Sequence, residues 1–142
     1  MYISRKSMFI IVALLLSMLS PMLAQGACSQ NNLTGTWYAY GNSGNEIERC
    51  KIKVNSSGSI VGSKSKCSAR DATGRFSLNI GGGNLQVSSA CVVKGRINFC
   101  EASCTALRIE HGMLERDKNI LTVEGYLVVD PRYTASLVGV KK

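Results

Sequence analysis

Histidine is almost missing from this sequence: His111 is the only one among 142 residues. A Cys–His nucleophile would need it beside a free thiol, and an even cysteine count argues against a free thiol. Cys100-x3-Cys104 with His111 is not a zinc spacing, and a disulfide at that corner is the expectation. No pair of carboxylates is placed for acid–base work. Residues 58–65 carry glycine and lysine, but at the wrong spacing for a phosphate loop, and they join two strands. With no nucleophile–base constellation, the chain reads as non-catalytic, without cofactor or metal.

Acidic side chains are also scarce, 9 against 17 Lys and Arg, for a net charge of +8. That balance favours anionic partners without naming one. Long apolar runs are missing after residue 20, so no transmembrane span is expected in the remainder. The N-terminus differs. Arg5 and Lys6 precede the apolar run 8–16, which continues to Ser20-Pro21, and Ala24-Gln25-Gly26 supplies small residues. A positive start, an apolar stretch of about a dozen residues and a small-residue end form the pattern of a secretory signal peptide. Residues 1–26 are therefore assigned as a leader, cut after Gly26 or alternatively after Ala24, and 27–142 as one domain. The protein is expected to be secreted or periplasmic.

Export changes how the cysteines read. Cys28, Cys50, Cys67, Cys91, Cys100 and Cys104 all follow the leader, so up to three disulfides are expected, with the pairing open. The alternative for Cys28 is a lipid anchor, which would leave an odd number of thiols. Asn32-Leu33-Thr34 and Asn55-Ser56-Ser57 fit the glycosylation acceptor pattern, which matters only in a eukaryotic source.

Glycines and other turn residues punctuate the chain every 8–12 residues or so, the rhythm of a sandwich or barrel. No window carries a 3.6-residue stripe; the only candidate helical turn is 101–106. Nine strand candidates emerge: 32–40, 47–54, 59–67, 75–80, 85–93, 96–99, 107–114, 120–129 and 133–140. Turns are expected at 42–45, at Asn55-Ser56-Ser57-Gly58, at Gly81-Gly82-Gly83-Asn84, at Lys94-Gly95 and at 117–119, with Pro131 as an interruption. Consecutive hairpins without long crossovers predict an all-β, small antiparallel up-and-down barrel of about eight strands, with a β-sandwich as the alternative.

In the hairpin 47–67 a symmetric register sets Val54 against Ser59, Ile52 against Val61 and Cys50 against Ser63. Cys50, Ile52, Val54, Ser59, Val61, Ser63, Ser65 and Cys67 then face inward, with the two cysteines not opposite each other. The outward face carries Arg49, Lys51, Lys53, Lys64 and Lys66, with Arg49 facing Lys64. Ser63, Ser65 and Ser89 among Phe76, Leu78, Leu85 and Val87 are expected to line a cavity of mixed character, unless small residues merely fill a narrow barrel. The alternation Leu107, Ile109, His111, Met113 places His111 inside or at a barrel mouth.

The stretch Leu33-Thr34-Gly35-Thr36-Trp37-Tyr38 resembles the first strand of avidin and streptavidin, and its Gly35-x-Trp37 core resembles the opening motif of lipocalins, families grouped as calycins. The following order of turn, strand, tight turn at Gly58 and Ile60-Val61-Gly62-Ser63 is also similar, so the resemblance covers residues 33–63. It implies a barrel with Trp37 plugging one end and a ligand inside. It does not carry over biotin. The asparagine two after the tryptophan is Ala39 here, and Ser43 meets the turn serine only by slipping the alignment. The residues after the third-strand glycine differ around Ser63-Lys64, and no further tryptophan exists to build an aromatic cage.

The leading expectation is an exported, non-catalytic protein holding a small, partly apolar ligand, with Trp37, Ser63, Ser65, Phe76 and Ser89 as candidate contacts. One alternative is a protein-interaction module such as a protease or hydrolase inhibitor acting through residues 27–32. Another is an anionic-surface or polyanion binder using Arg49, Lys51, Lys53, Lys64 and Lys66. Nucleic acid is not expected, because of export and because the cations lack interleaved aromatic residues.

Overall fold

A computed structural model describes residues 27–100 and 103–142. The expected leader, 1–26, lies outside the described residues, as do Glu101 and Ala102 of the expected helical turn. Eight antiparallel strands form a closed barrel in simple sequence order: β1 (Gly35–Ser43), β2 (Glu46–Val54), β3 (Lys66–Arg70), β4 (Arg75–Val87), β5 (Val92–Cys100), β6 (Cys104–Leu114), β7 (Ile120–Leu127) and β8 (Asp130–Lys141). β8 returns to pair with β1, from Trp37↔Lys141 to Ser43↔Ala135. Every strand thus has two neighbours and no sheet edge remains. No helix among the described residues is long and apolar enough to cross a membrane.

The alternation that predicted the strands also makes the core. Trp37, Ala39, Ile52, Val54, Leu85 and Ile97 are buried, as are Leu107, Ile109, Leu121, Val123 and Leu137. One end of the barrel is sealed. The 3-10 turn Gln30–Asn32 lies across it, and Leu33 behind it is fully buried. Trp37 Nε1 donates to the Leu33 carbonyl at 2.8 Å, satisfying the one polar atom of the plug. Gln30 acts as an extra rung on β4, its Nε2 donating to Leu85 O and its Oε1 accepting from Val87 N. Lys141 Nζ donates to Asn32 O at 2.9 Å and stands 5.7 Å from the Trp37 ring centre.

Several strand limits differ from expectation, each for a local reason. Gly81-Gly82-Gly83 is not a turn; β4 runs through it with a register irregularity between Ile80 and Gly82. Gly83 has φ +139°, and a Cβ there would lie 2.2 Å from Arg96 O, so the glycine permits a sharp bend within a paired strand. Lys94-Gly95 likewise lies inside β5. The turn between β4 and β5 is at 88–91 instead, where Cys91 takes the left-handed conformation at φ 65°. Nine candidate strands therefore become eight. Between β7 and β8 the turn is Val128-Val129, and Pro131 sits near the start of β8, where its missing N–H is tolerated.

The Asn55–Gly58 turn is where it was expected. Asn55 Oδ1 accepts from the Ser57 and Ser59 backbone N–H groups, and Gly58 has φ +86°. The symmetric register beyond it is wrong. Val54 bridges Ile60, then a 3-10 turn at Gly62–Lys64 takes up chain before β3 begins. The slippage sets Lys51 against Lys66 and Cys50 directly against Cys67.

Three disulfides join Cys28 to Cys91, Cys50 to Cys67 and Cys100 to Cys104. They fit an oxidising environment. The sulfur of Cys28 is thereby committed, which corrects the lipid-anchored alternative for that residue: one sulfur cannot also carry a thioether.

Candidate functional site

The barrel is filled at one end and hollow at the other. Around Trp37, Ala39, Ile52, Ile97, Val123 and Leu137 only about 20 Å³ remains unfilled, room for little more than one water. Six residues along β1 from Trp37, roughly 20 Å away, the strand ends at Ser43. Here the barrel holds a cup of about 310 Å³. The cup exists because its inward positions on β1 and β8 are small, Ser43 and Ala135, where the sealed end carries Trp37 and Leu137. Its walls are Phe76 and Leu78 of β4, Phe99 of β5, Leu107 of β6 and Leu127 of β7.

Polar groups enter from four strands, with Ser43 on β1. β2 contributes Glu46 at the rim and Glu48 deeper, the latter only 6% exposed. Among the described residues they are the only charged side chains in the lining, and no Lys, Arg or His shares it. The single ion pair among the described residues joins Arg132 to Asp130, on the outside. Burial raises the Glu48 carboxyl above its ordinary range; the Ser43 side chain partly opposes this and the charge of Glu46 adds to it. Tyr133 of β8 donates its hydroxyl to Ser43 O at 2.8 Å. The hydroxyl of Thr105 on β6 is buried without a hydrogen-bond partner among the described residues.

Of the ligand contacts expected from sequence, only Phe76 lies in the cup. Trp37 is buried at the opposite end and cannot touch a molecule seated here. Ser63 is exposed in the 3-10 turn. Ser65 is a brace: its hydroxyl donates to Val61 O and accepts from Lys53 N. Ser89 is exposed in the β4–β5 turn, where its carbonyl accepts from Cys28 N. The three serine corrections have two causes: the register slip at Gly62–Lys64 moves Ser63 and Ser65, and the displaced β4–β5 turn moves Ser89. Glu48, Thr105, Phe99, Leu127 and Tyr133 were missed. Glu48 was within reach, because extending the inward series Val54, Ile52, Cys50 by two residues reaches it.

His111 is also corrected. A register shift between Ile109 and His111 turns the alternation over, so Gly112 and Leu114 are buried while His111 and Met113 face outward. His111 stands opposite Glu124 on β7.

The cations expected on the hairpin do share the outer surface, with different partners. Arg49 faces Ser68 rather than Lys64, Lys51 faces Lys66, and Lys53 faces Thr36. Lys64 lies apart in the 3-10 turn. β1 also brings Tyr38 beside Lys51 and Tyr40 beside Arg49, whose guanidinium is 5.8 Å from the Tyr40 ring centre. Aromatic side chains therefore do accompany these cations, contrary to the sequence argument. Together they border an outer groove of about 300 Å³.

No protein-family model matches the chain, and no curated protein matches it in sequence.

Proposed function

We propose that the protein is an exported, non-catalytic carrier that holds a small, partly apolar molecule in the cup at the wide end of its barrel. One observation carries this reading: the interior is packed down to about 20 Å³ at the Trp37 end yet leaves about 310 Å³ between Phe76, Leu78, Phe99, Leu107 and Leu127. Apolar walls with a few convergent polar groups are the usual composition of a ligand site. The resemblance of residues 33–38 to calycins agrees with it.

The test is binding of a neutral environment-sensitive dye such as Nile red to the wild type and to Leu127→Trp, which narrows the cup at its half-buried rim. Dye bound by the wild type and lost in the variant, with an unchanged unfolding midpoint, supports the reading. Equal binding by both removes it.

A second reading is supported by the direct opposition of Lys51 and Lys66. Like charges across a strand pair are mildly destabilising, and neither pairs with a carboxylate among the described residues. With Tyr38, Tyr40 and Arg49 they offer a surface to a sulfated glycan or other polyanion. Salt-dependent retention on heparin that Lys51→Glu abolishes is the expected result; retention unaffected by the substitution sinks it.

The inhibitor alternative is less well supported. Residues 28–32 are held to the barrel by the Cys28–Cys91 bond and by Gln30, not extended as an arm for an enzyme cleft.

A further inference from the structure

We infer that the cup is selective for a ligand with a protonated amine head, received by the Glu48 carboxylate and the Thr105 hydroxyl, with its apolar body against the ring and leucine walls. This inference rests on the reading of the cup as a ligand site and adds the chemical class of the occupant.

The first support is the position of Glu48. A carboxyl so deep in an apolar wall is held toward its neutral form, and its charge is tolerated only when something compensates it. The residues that line the cup with it are Glu46 on its own strand, Ser43 of β1, Tyr133 and Ala135 of β8, Thr105 of β6 and otherwise apolar side chains. None is a cation. The Tyr133 hydroxyl is already committed to the Ser43 carbonyl. The protein therefore brings a negative group to the bottom of the cup without supplying its counter-ion.

Thr105 is the second, independent support. Its hydroxyl is buried with no partner, a state that costs free energy in the empty protein and that few native groups show. A hydroxyl oxygen accepts as well as donates, so an ammonium N–H satisfies it while other N–H groups of the same head serve the carboxylate. A ligand carboxylate would face Glu46 and Glu48 instead, and an aliphatic chain would leave the Thr105 hydroxyl without a partner and the Glu48 charge without a counter-ion.

Charge distribution is the third. The chain carries +8 overall, yet the charged residues of the cup are both acidic. Low-dielectric walls concentrate that local negative potential within the cavity. Phe76 and Phe99 add aromatic rings to the lining, side chains that attract a cation placed over their faces. A cup of about 310 Å³ is at the small end of ligand sites. That size fits a compact amine rather than a long lipid.

The test uses the intact oxidised protein and three probes of one size: phenethylamine, 2-phenylethanol and phenylacetate, each titrated by calorimetry near neutral pH. The amine should bind at least about tenfold tighter than the alcohol, the margin of one charge-assisted hydrogen bond, and phenylacetate should bind weakest. Glu48→Gln should bring the amine down to the level of the alcohol and leave the alcohol unchanged. Thr105→Val should weaken the amine severalfold without lowering the unfolding midpoint, since it deletes a hydroxyl that has no partner in the empty protein. Amine affinity should also fall on acidification as Glu48 takes up a proton, while that of the alcohol stays flat. An alcohol that binds as tightly as the amine, or an amine preference that survives Glu48→Gln, overturns the inference and leaves the cup as a site for neutral molecules. No binding of any probe, together with loss of the Nile red difference at Leu127→Trp, overturns the ligand-site reading itself.

Discussion

Cys50 and Cys67 stand directly opposite each other on β2 and β3, bonded and almost wholly buried inside the barrel. The three disulfides close loops of very different length, with sequence separations of 63 for Cys28–Cys91, 17 for Cys50–Cys67 and 4 for Cys100–Cys104. On the chain-entropy account their removal costs about 4, about 3 and about 2 kcal/mol respectively. Paired Cys→Ala variants measured by urea unfolding should follow that order. If the Cys100–Cys104 variant proved the least stable, loop length would not be the governing factor.

Glu48 makes stability depend on pH in a defined direction. Its carboxyl is held above the ordinary value of 4.5, chiefly by burial. The folded state thus holds the proton more tightly than the unfolded state. The contribution is fully favourable below about pH 4.5 and is lost as pH rises through the folded value. Glu48→Gln, which does not titrate, should gain stability relative to the wild type across that window and then level off. A difference that stays constant between about pH 4 and about pH 7 contradicts burial of the charge.

Trp37→Phe separates the two ends of the barrel. It deletes the donor to Leu33 O and leaves that carbonyl at the plug without its partner, at a cost of about 1–3 kcal/mol. Nile red binding should be unchanged, because the cup lies at the other end. Loss of dye binding in a folded Trp37→Phe protein would place the ligand near the plug instead.

Gly83 and Gly74 both have positive φ, but only Gly83 has backbone in the space a Cβ would fill. Gly83→Ala should therefore destabilise by more than the roughly 1–3 kcal/mol of backbone strain expected at Gly74→Ala. Comparing their thermal midpoints isolates the steric part. Equal losses would mean that β4 can shift away from Arg96 without penalty.

The all-β barrel of about eight strands was legible because the turn-separated alternating segments follow one another as hairpins without long crossovers, although nine segments were read where eight strands form. The cup was not legible, for reasons that can be located. Three consecutive glycines look like a turn, yet here they bend a strand whose neighbour approaches too closely for a side chain. A cysteine at positive φ, Cys91, and a pair of valines, Val128 and Val129, make the turns where glycine would be the ordinary signal. Tertiary constraint supplies what composition does not: Cys91 is tied to Cys28, and the N–H of Val128 donates to Ala106 O. Glu48 escaped notice because a charged residue in an alternating strand is ordinarily read as facing water.

Pairing of β1 with β8 imposes an order on events. A ring of strands is complete only when its last member arrives, and the entropy of bringing distant segments together is rewarded only then. Until that moment β1 presents a row of unsatisfied N–H and C=O groups that any other strand can occupy. A chain halted after β7 would be one strand and two seams short of a barrel, with its first and last strands both free to recruit another copy. The closure that protects the finished molecule from self-association is thus the last safeguard acquired during its folding.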